Sequence, residues 1–238
     1  MPYPRLGSKR RMDKNGQVTD MPQKRHTLVF DLDGTLVDSA ADIAAAANET
    51  LAELGAAPLD LSRIKQMIGD GAPKLMERAL AAAGLTMTVA EVMPRFMVFY
   101  DRYATQQVSL YPGVAETLRQ LRADGYRLGV CTNKPTTATH AVLAAGGIDD
   151  VFEAVIGGDA LPQRKPQPEP LWAAIKQLGG TVDSSAMIGD STVDLACAQA
   201  AGVPALILPS AYGMADVAAT PGFSHFADLP ELLQQLDA

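Results

Sequence analysis

Five short runs of almost unbroken apolar residues, at 27–30, 127–131, 154–156, 186–188 and 205–208, constrain this chain more than any other feature. Runs of that length without polar alternation read as strands buried on both faces, the pattern of a parallel sheet. Amphipathic segments at 114–124, 137–145, 168–178 and 193–201 lie between them and predict helices. Such alternation requires right-handed crossovers and gives an α/β fold with a doubly wound parallel sheet. A chain of 238 residues has room for one such core plus a modest insertion.

The insertion is predicted at 40–108, where helical periodicity replaces the alternation and no convincing strand occurs. Residues 40–54 are rich in Ala, Leu and Glu and stop at Gly55. Pro73 suits the first turn of a helix that reaches Leu80 and is closed by Gly84. Thr88 and Glu91 have capping-box spacing for a helix toward Tyr103, in which Pro94 predicts a kink or a later start. Tyr111-Pro112-Gly113 returns the chain to the core. The expected division is 26–39 with 109–238 as core, 40–108 as an all-helical block, and 1–25 as a leader. Residues 1–25 carry a net charge of +5 in a chain of −7, without apolar periodicity, as disordered segments do. No apolar stretch follows those charges, so they do not form a secretory signal. Met21 is a candidate natural start.

The net charge of −7 argues against a general binder of nucleic acid or anionic membrane. No apolar run is long enough to span a bilayer. Cys131 and Cys197 sit in apolar stretches without Cys-x-x-Cys pairing. They read as buried thiols of a reducing, cytoplasmic compartment.

Polar residues cluster where four of the predicted strands end. The first run is followed by Asp31-Leu32-Asp33-Gly34. Ligands of open α/β sheets bind beyond the carboxyl ends of the strands. Two neighbouring carboxylates repel unless a cation lies between them, which implies a hard metal. The second run ends in Thr132-Asn133-Lys134, offering a hydroxyl and backbone N–H groups suited to phosphate oxygens. Lys165 sits in a loop with Pro166, Pro168 and Pro170, which restrict where it can point. A held ammonium there can neutralise a nucleophilic carboxylate and a phosphoryl group. The fourth cluster is Gly189-Asp190-Ser191-Thr192-Val193-Asp194. Asp190 could complete a metal site, and Asp194 could orient Lys165 or Ser191. Each cluster alone also suits helix capping or a solvated loop. Together they spell metal-assisted phosphoryl transfer with a carboxylate nucleophile.

These four motifs in this order resemble the haloacid dehalogenase superfamily of phosphohydrolases, over about 28–208. The resemblance implies a Rossmann-like core and a mobile helical cap formed by the insertion. A narrower resemblance, to phosphoglycolate phosphatases, rests on Asp31 through Ser39, Ile68-Gly69-Asp70-Gly71-Ala72, Tyr111-Pro112-Gly113-Val114, Thr132-Asn133-Lys134-Pro135 and Gly157-Gly158-Asp159. Asp70 departs from it, standing where Asn is the more frequent residue. By resemblance Asp31 is the nucleophile and Asp33 the general acid and base. Mg²⁺ is held by Asp31, the Asp33 backbone carbonyl and Asp190. Thr132, Asn133 and Lys165 bind the phosphate, with Asp194 and Thr35 in support. Asp33 points to phosphate esters, because a halide leaving group needs no acid. The cap contacts implied are Gly69, Asp70 and Gly71 with basic residues such as Arg63, Lys65, Lys74 and Arg78, one of which would meet a substrate carboxylate. The stripe Phe96, Phe99 and Tyr103 reads as core or as a dimer contact, so a monomer and a homodimer both fit. The partner expected is a small phosphate ester: 2-phosphoglycolate, a sugar phosphate or pyrophosphate. A β-phosphoglucomutase-like phosphomutase would use the same nucleophile.

Overall fold

The computed structural model describes residues 26–208, 212 and 225–236, together with the backbone of 10–12 and 18–20. The last two segments, β1 (Arg10–Met12) and β2 (Val18–Asp20), pair antiparallel with each other. They fall in the stretch read as a leader; the rest of 1–25 lies outside the described residues.

The core is a five-stranded, all-parallel sheet of β3 (Thr27–Phe30), β6 (Arg127–Cys131), β7 (Ala154–Ile156), β8 (Ser185–Gly189) and β9 (Ala205–Ile207), in the order β7-β6-β3-β8-β9. Each predicted strand is present. The sheet is wound both ways from β3, so β3 and β8 flank the switch point where ligand crevices form.

Alternation along the strands sorts their side chains between two faces. Leu28, Phe30, Leu128, Val130, Ala186 and Ile188 face one cluster. It is covered by α5 (Val114–Ala123), α6 (Thr136–Ala145) and α9 (Leu229–Leu236). Val29, Cys131 and Met187 face the other, under α7 (Glu169–Gln177) and α8 (Thr192–Ala201). Phe30 is fully buried, and a Phe→Ala truncation at such a site costs about 3–5 kcal/mol.

Between β3 and α5 lies the helical block: α1 (Ala40–Glu53), α2 (Leu61–Lys65), α3 (Ala72–Ala82) and α4 (Val89–Tyr103). It has its own apolar cluster, including Leu51, Ile64, Met76, Phe96 and Phe99, so the aromatic stripe serves as core. The Thr88–Glu91 capping box forms, and α4 runs through Pro94 from Val89. Sequence periodicity missed α2, which is five residues long. It also missed β4 (Val37–Asp38) and β5 (Ser109–Leu110), an antiparallel pair at the point where the chain leaves and rejoins the core. Among the described residues, no helix is long and apolar enough to cross a membrane.

Candidate active site

Four strand ends converge at the carboxyl edge of the sheet. Asp31 follows β3 directly, and its N–H donates to the Ile188 carbonyl at 2.8 Å, which locks it beside β8. The Asp31 carboxylate accepts from Lys165 Nζ at 2.6 Å. The same ammonium donates to Asp194 Oδ1 at 2.7 Å, and all three side chains are buried. Lys165, read from sequence as restrained by its prolines, thus bridges two carboxylates across the site. Burial opposes its charge, but Asp194 and Asp31 outweigh burial and hold its pKa well above the usual value. Burial pushes the Asp31 carboxyl up to about 7; Lys165 works against that and the Asp194 charge adds to it.

Asp194 is a fixed post. Its Oδ2 accepts from the Ser191 hydroxyl at 2.6 Å and from the Ser191 and Asp190 N–H groups at 3.1 and 3.3 Å. Ser191 caps α8 in return, taking the Asp194 N–H at 3.2 Å. Asp194 therefore contacts both Lys165 and Ser191, the two side chains the sequence linked it to. Thr35 Oγ1 donates to Asp190 Oδ1 at 3.1 Å. Gly34 sits against the other Asp190 oxygen at φ +91°, where a Cβ would lie 2.4 Å from Oδ2. Only glycine allows that approach.

Oxygens of Asp31, Asp190 and Asp194 lie within 4.8 Å of one another. Asp194 is already saturated by Lys165, Ser191 and two N–H groups, so Asp31 and Asp190 are the carboxylates suited to an ion. A desolvated carboxylate pair with hard oxygen donors is the chemistry of a divalent-cation site. The group could hold a metal.

Asp33 occupies a different environment. Its Oδ1 accepts from Ser39 Oγ at 2.5 Å and from Lys134 Nζ at 3.1 Å. Lys134 also donates to Tyr100 OH at 2.8 Å and is buried. Burial opposes this ammonium too, and Asp33 with Tyr100 overcomes it to raise its pKa. Sequence reasoning assigned no role to Lys134, Tyr100 or Ser39. Lys134 stood two residues past Thr132 at the same strand end, and Tyr100 four past Phe96 on the same stripe; those spacings were the available signals.

Thr132 Oγ accepts the Lys134 N–H at 3.2 Å, so its own proton is available to donate. The Asn133 side chain is a brace rather than an anion ligand. Its Nδ2 donates to the Gly69 carbonyl at 3.1 Å and the Lys165 carbonyl at 3.0 Å, leaving its backbone N–H to serve an anion. Gly158 packs against that loop so closely that a Cβ would fall 2.3 Å from the Asn133 carbonyl.

A cleft opens onto Asp31, Asp33, Thr132, Asn133 and Lys134 from the core. Gly69, Gly71, Phe96 and Tyr100 of the helical block close it from above. The basic residues expected to meet a substrate carboxylate do not line it. Lys74 is exposed and bonds Glu77; Arg78 pairs with Asp70 at 2.5 Å and donates to the Met67 carbonyl. Lys65 lies 3.8 Å from Asp38, and Arg63 is exposed. Neighbouring carboxylates hold Lys74 and Arg78 instead. The Arg78 pair also neutralises Asp70.

The family model for haloacid dehalogenase-like hydrolases matches residues 28–208. This chain belongs to that family. A phosphoglycolate phosphatase of Cereibacter sphaeroides is 46% identical over 215 residues, covering 88% of this chain and 98% of the relative. A phosphoglycolate phosphatase of Rhodospirillum rubrum is 43% identical over 213 residues, covering 86% and 88%. A crystal structure of a predicted phosphoglycolate phosphatase from Haemophilus somnus superimposes with a TM-score of 0.82 at 32% identity, covering 88% of this chain and 98% of that one. The family places the chain among hydrolases, and the parallel sheet with flanking helices is its Rossmann-type core.

Proposed function

We propose that this chain is a Mg²⁺-dependent phosphatase that hydrolyses 2-phosphoglycolate to glycolate and phosphate through an aspartyl-phosphate intermediate. The observation that carries the reading is the contrast between two carboxylates two residues apart. Asp31 is desolvated, tied to a buried lysine and adjacent to Asp190. Asp33 is held by Ser39 and Lys134 at the cleft. One position suits attack on phosphorus, the other proton transfer.

In this mechanism Asp31 attacks the phosphorus in line with the ester oxygen. Asp33 gives its proton to the departing glycolate oxygen, then takes a proton from the water that cleaves the aspartyl phosphate. Lys165, the Thr132 hydroxyl and the Asn133 N–H face the charge on the transferring group. Asp31, the Asp33 backbone carbonyl and Asp190 would hold Mg²⁺, which when bound supplies electrostatic stabilisation of the phosphoryl oxygens. Asp194 and Thr35 keep Lys165 and Asp190 aimed. Residues 40–108 act as a cap that excludes water from the cleft. The two relatives above support the choice of phosphoglycolate, and the carboxylate at Asp33 supports an oxygen leaving group.

A panel of phosphate monoesters, assayed for free phosphate with Mg²⁺ and with chelator, tests this. Phosphoglycolate ranks among the best substrates, chelator removes activity, and Asp31→Asn is inactive. Activity insensitive to chelator, retained in Asp31→Asn, or yielding an isomerised phosphate in place of free phosphate refutes it.

A further inference from the structure

We infer that Lys134 and Tyr100 together form the subsite for the leaving group's carboxylate, and that they set the preference for phosphoglycolate. The inference rests on the proposed function and deepens it. A general acid must come within about 2.6–3.2 Å of the oxygen it protonates. Asp33 is that acid, and Lys134 Nζ lies 3.1 Å from its Oδ1. By covalent geometry, the carboxylate oxygens of a glycolyl group sit about 3 Å from the ester oxygen. A leaving group bonded to Asp33 therefore brings its carboxylate into reach of the Lys134 ammonium. Tyr100 accepts its bond from Lys134 at 2.8 Å, which leaves the phenol proton to be donated to the same carboxylate.

The surroundings argue the same way. Among the described residues, Lys134 is the cationic side chain lining this cleft, and Lys74 and Arg78 are turned to Glu77 and Asp70. Ile43, Ile68, Leu75 and Phe96 give the lining of this cleft an apolar wall. A sugar leaving group would press its hydroxyls onto that wall without partners, a costly burial. A two-carbon acid ends at Lys134 and Tyr100.

The test compares kcat/KM for 2-phosphoglycolate with that for 2-hydroxyethyl phosphate, the same skeleton with an alcohol in place of the carboxylate. Both are measured with Mg²⁺ on the full chain, on Lys134→Met and on Tyr100→Phe. The ratio is taken within one protein, so a reduced folded fraction cancels. The wild type favours phosphoglycolate by about 100-fold, Lys134→Met lowers that preference by about 10–100-fold, and Tyr100→Phe lowers it by about tenfold, as loss of charge-assisted bonds requires. If Lys134 only positioned Asp33, both esters would fall together and the ratio would hold; that result overturns the inference and leaves the proposed function standing. A wild-type ratio near one overturns the inference in the same way, whereas a wild type that releases no phosphate from phosphoglycolate overturns the proposed function.

Discussion

Replacing Lys165 by Met, which keeps the length and removes the charge, exposes what holds the site together. The ammonium bonds Asp31 at 2.6 Å and Asp194 at 2.7 Å, and the three side chains are buried. Removing one member of a buried ion pair costs about 3–5 kcal/mol, because the remaining charge is left without compensation. Asp194 retains the Ser191 hydroxyl and two N–H donors, so most of the loss falls on Asp31. The loss must also depend on pH. Burial already raises the Asp31 pKa from 3.8 to about 7, so folding takes up a proton there and stability falls as pH rises from about 4 through 7. Without Lys165 that carboxyl moves further up. The penalty is therefore full at pH 8 and shrinks toward pH 5, where the carboxyl is protonated. Urea unfolding at pH 5, 6, 7 and 8, with chelator present so that no cation replaces the ammonium, measures it from the shift in midpoint at constant slope. A loss below about 1 kcal/mol at pH 8, the size of an exposed ion pair, refutes the reasoning. So does an equal loss at pH 5 and 8.

Asp33→Asn lowers kcat/KM for phosphoglycolate by about 10²–10⁴-fold, the worth of a positioned acid–base group, in steady-state phosphate release. Gly34→Ala adds strain of about 1–2 kcal/mol at φ +91° and drives a methyl to within 2.4 Å of Asp190 Oδ2; activity collapses while circular dichroism retains the fold. Burial pushes the Cys197 thiol up to about 12 and Cys131 higher still. The native chain at pH 8 leaves a disulfide reagent unreacted, and both thiols react once denaturant is added.

The core was legible because its strands are buried on both faces and so lack polar interruptions; none was missed. β4 and β5, two residues each and without an apolar run, and α2, little more than one helical turn, were not legible, since a pattern needs more than one period to show itself. The first ring of the site, Asp31, Asp33, Thr132, Lys165, Asp190 and Asp194, was readable because a parallel sheet brings all its strand ends to one edge. Tyr100 was not, because it reaches Lys134 only through the docking of α4 on the loop after β6. The partners of the helical block's charges were not legible for a related reason. Spacing lists every cation, but whether Arg78 points at a substrate or at Asp70 depends on the turn of backbone between α2 and α3.

The β4–β5 pair carries a consequence for how such a molecule diversifies. Val37 stands opposite Leu110 and Asp38 opposite Ser109, so the two ends of a helical block some seventy residues long are about 5 Å apart. Just beyond, Asp42 clasps the Gln107 N–H with both oxygens at 3.0 Å. To the sheet, that whole block is equivalent to a hairpin turn. Lineages can exchange it, lengthen it or redesign its lining without disturbing the strand ends that perform the chemistry. Only a residue such as Tyr100, which reaches across the seam, must be renegotiated each time.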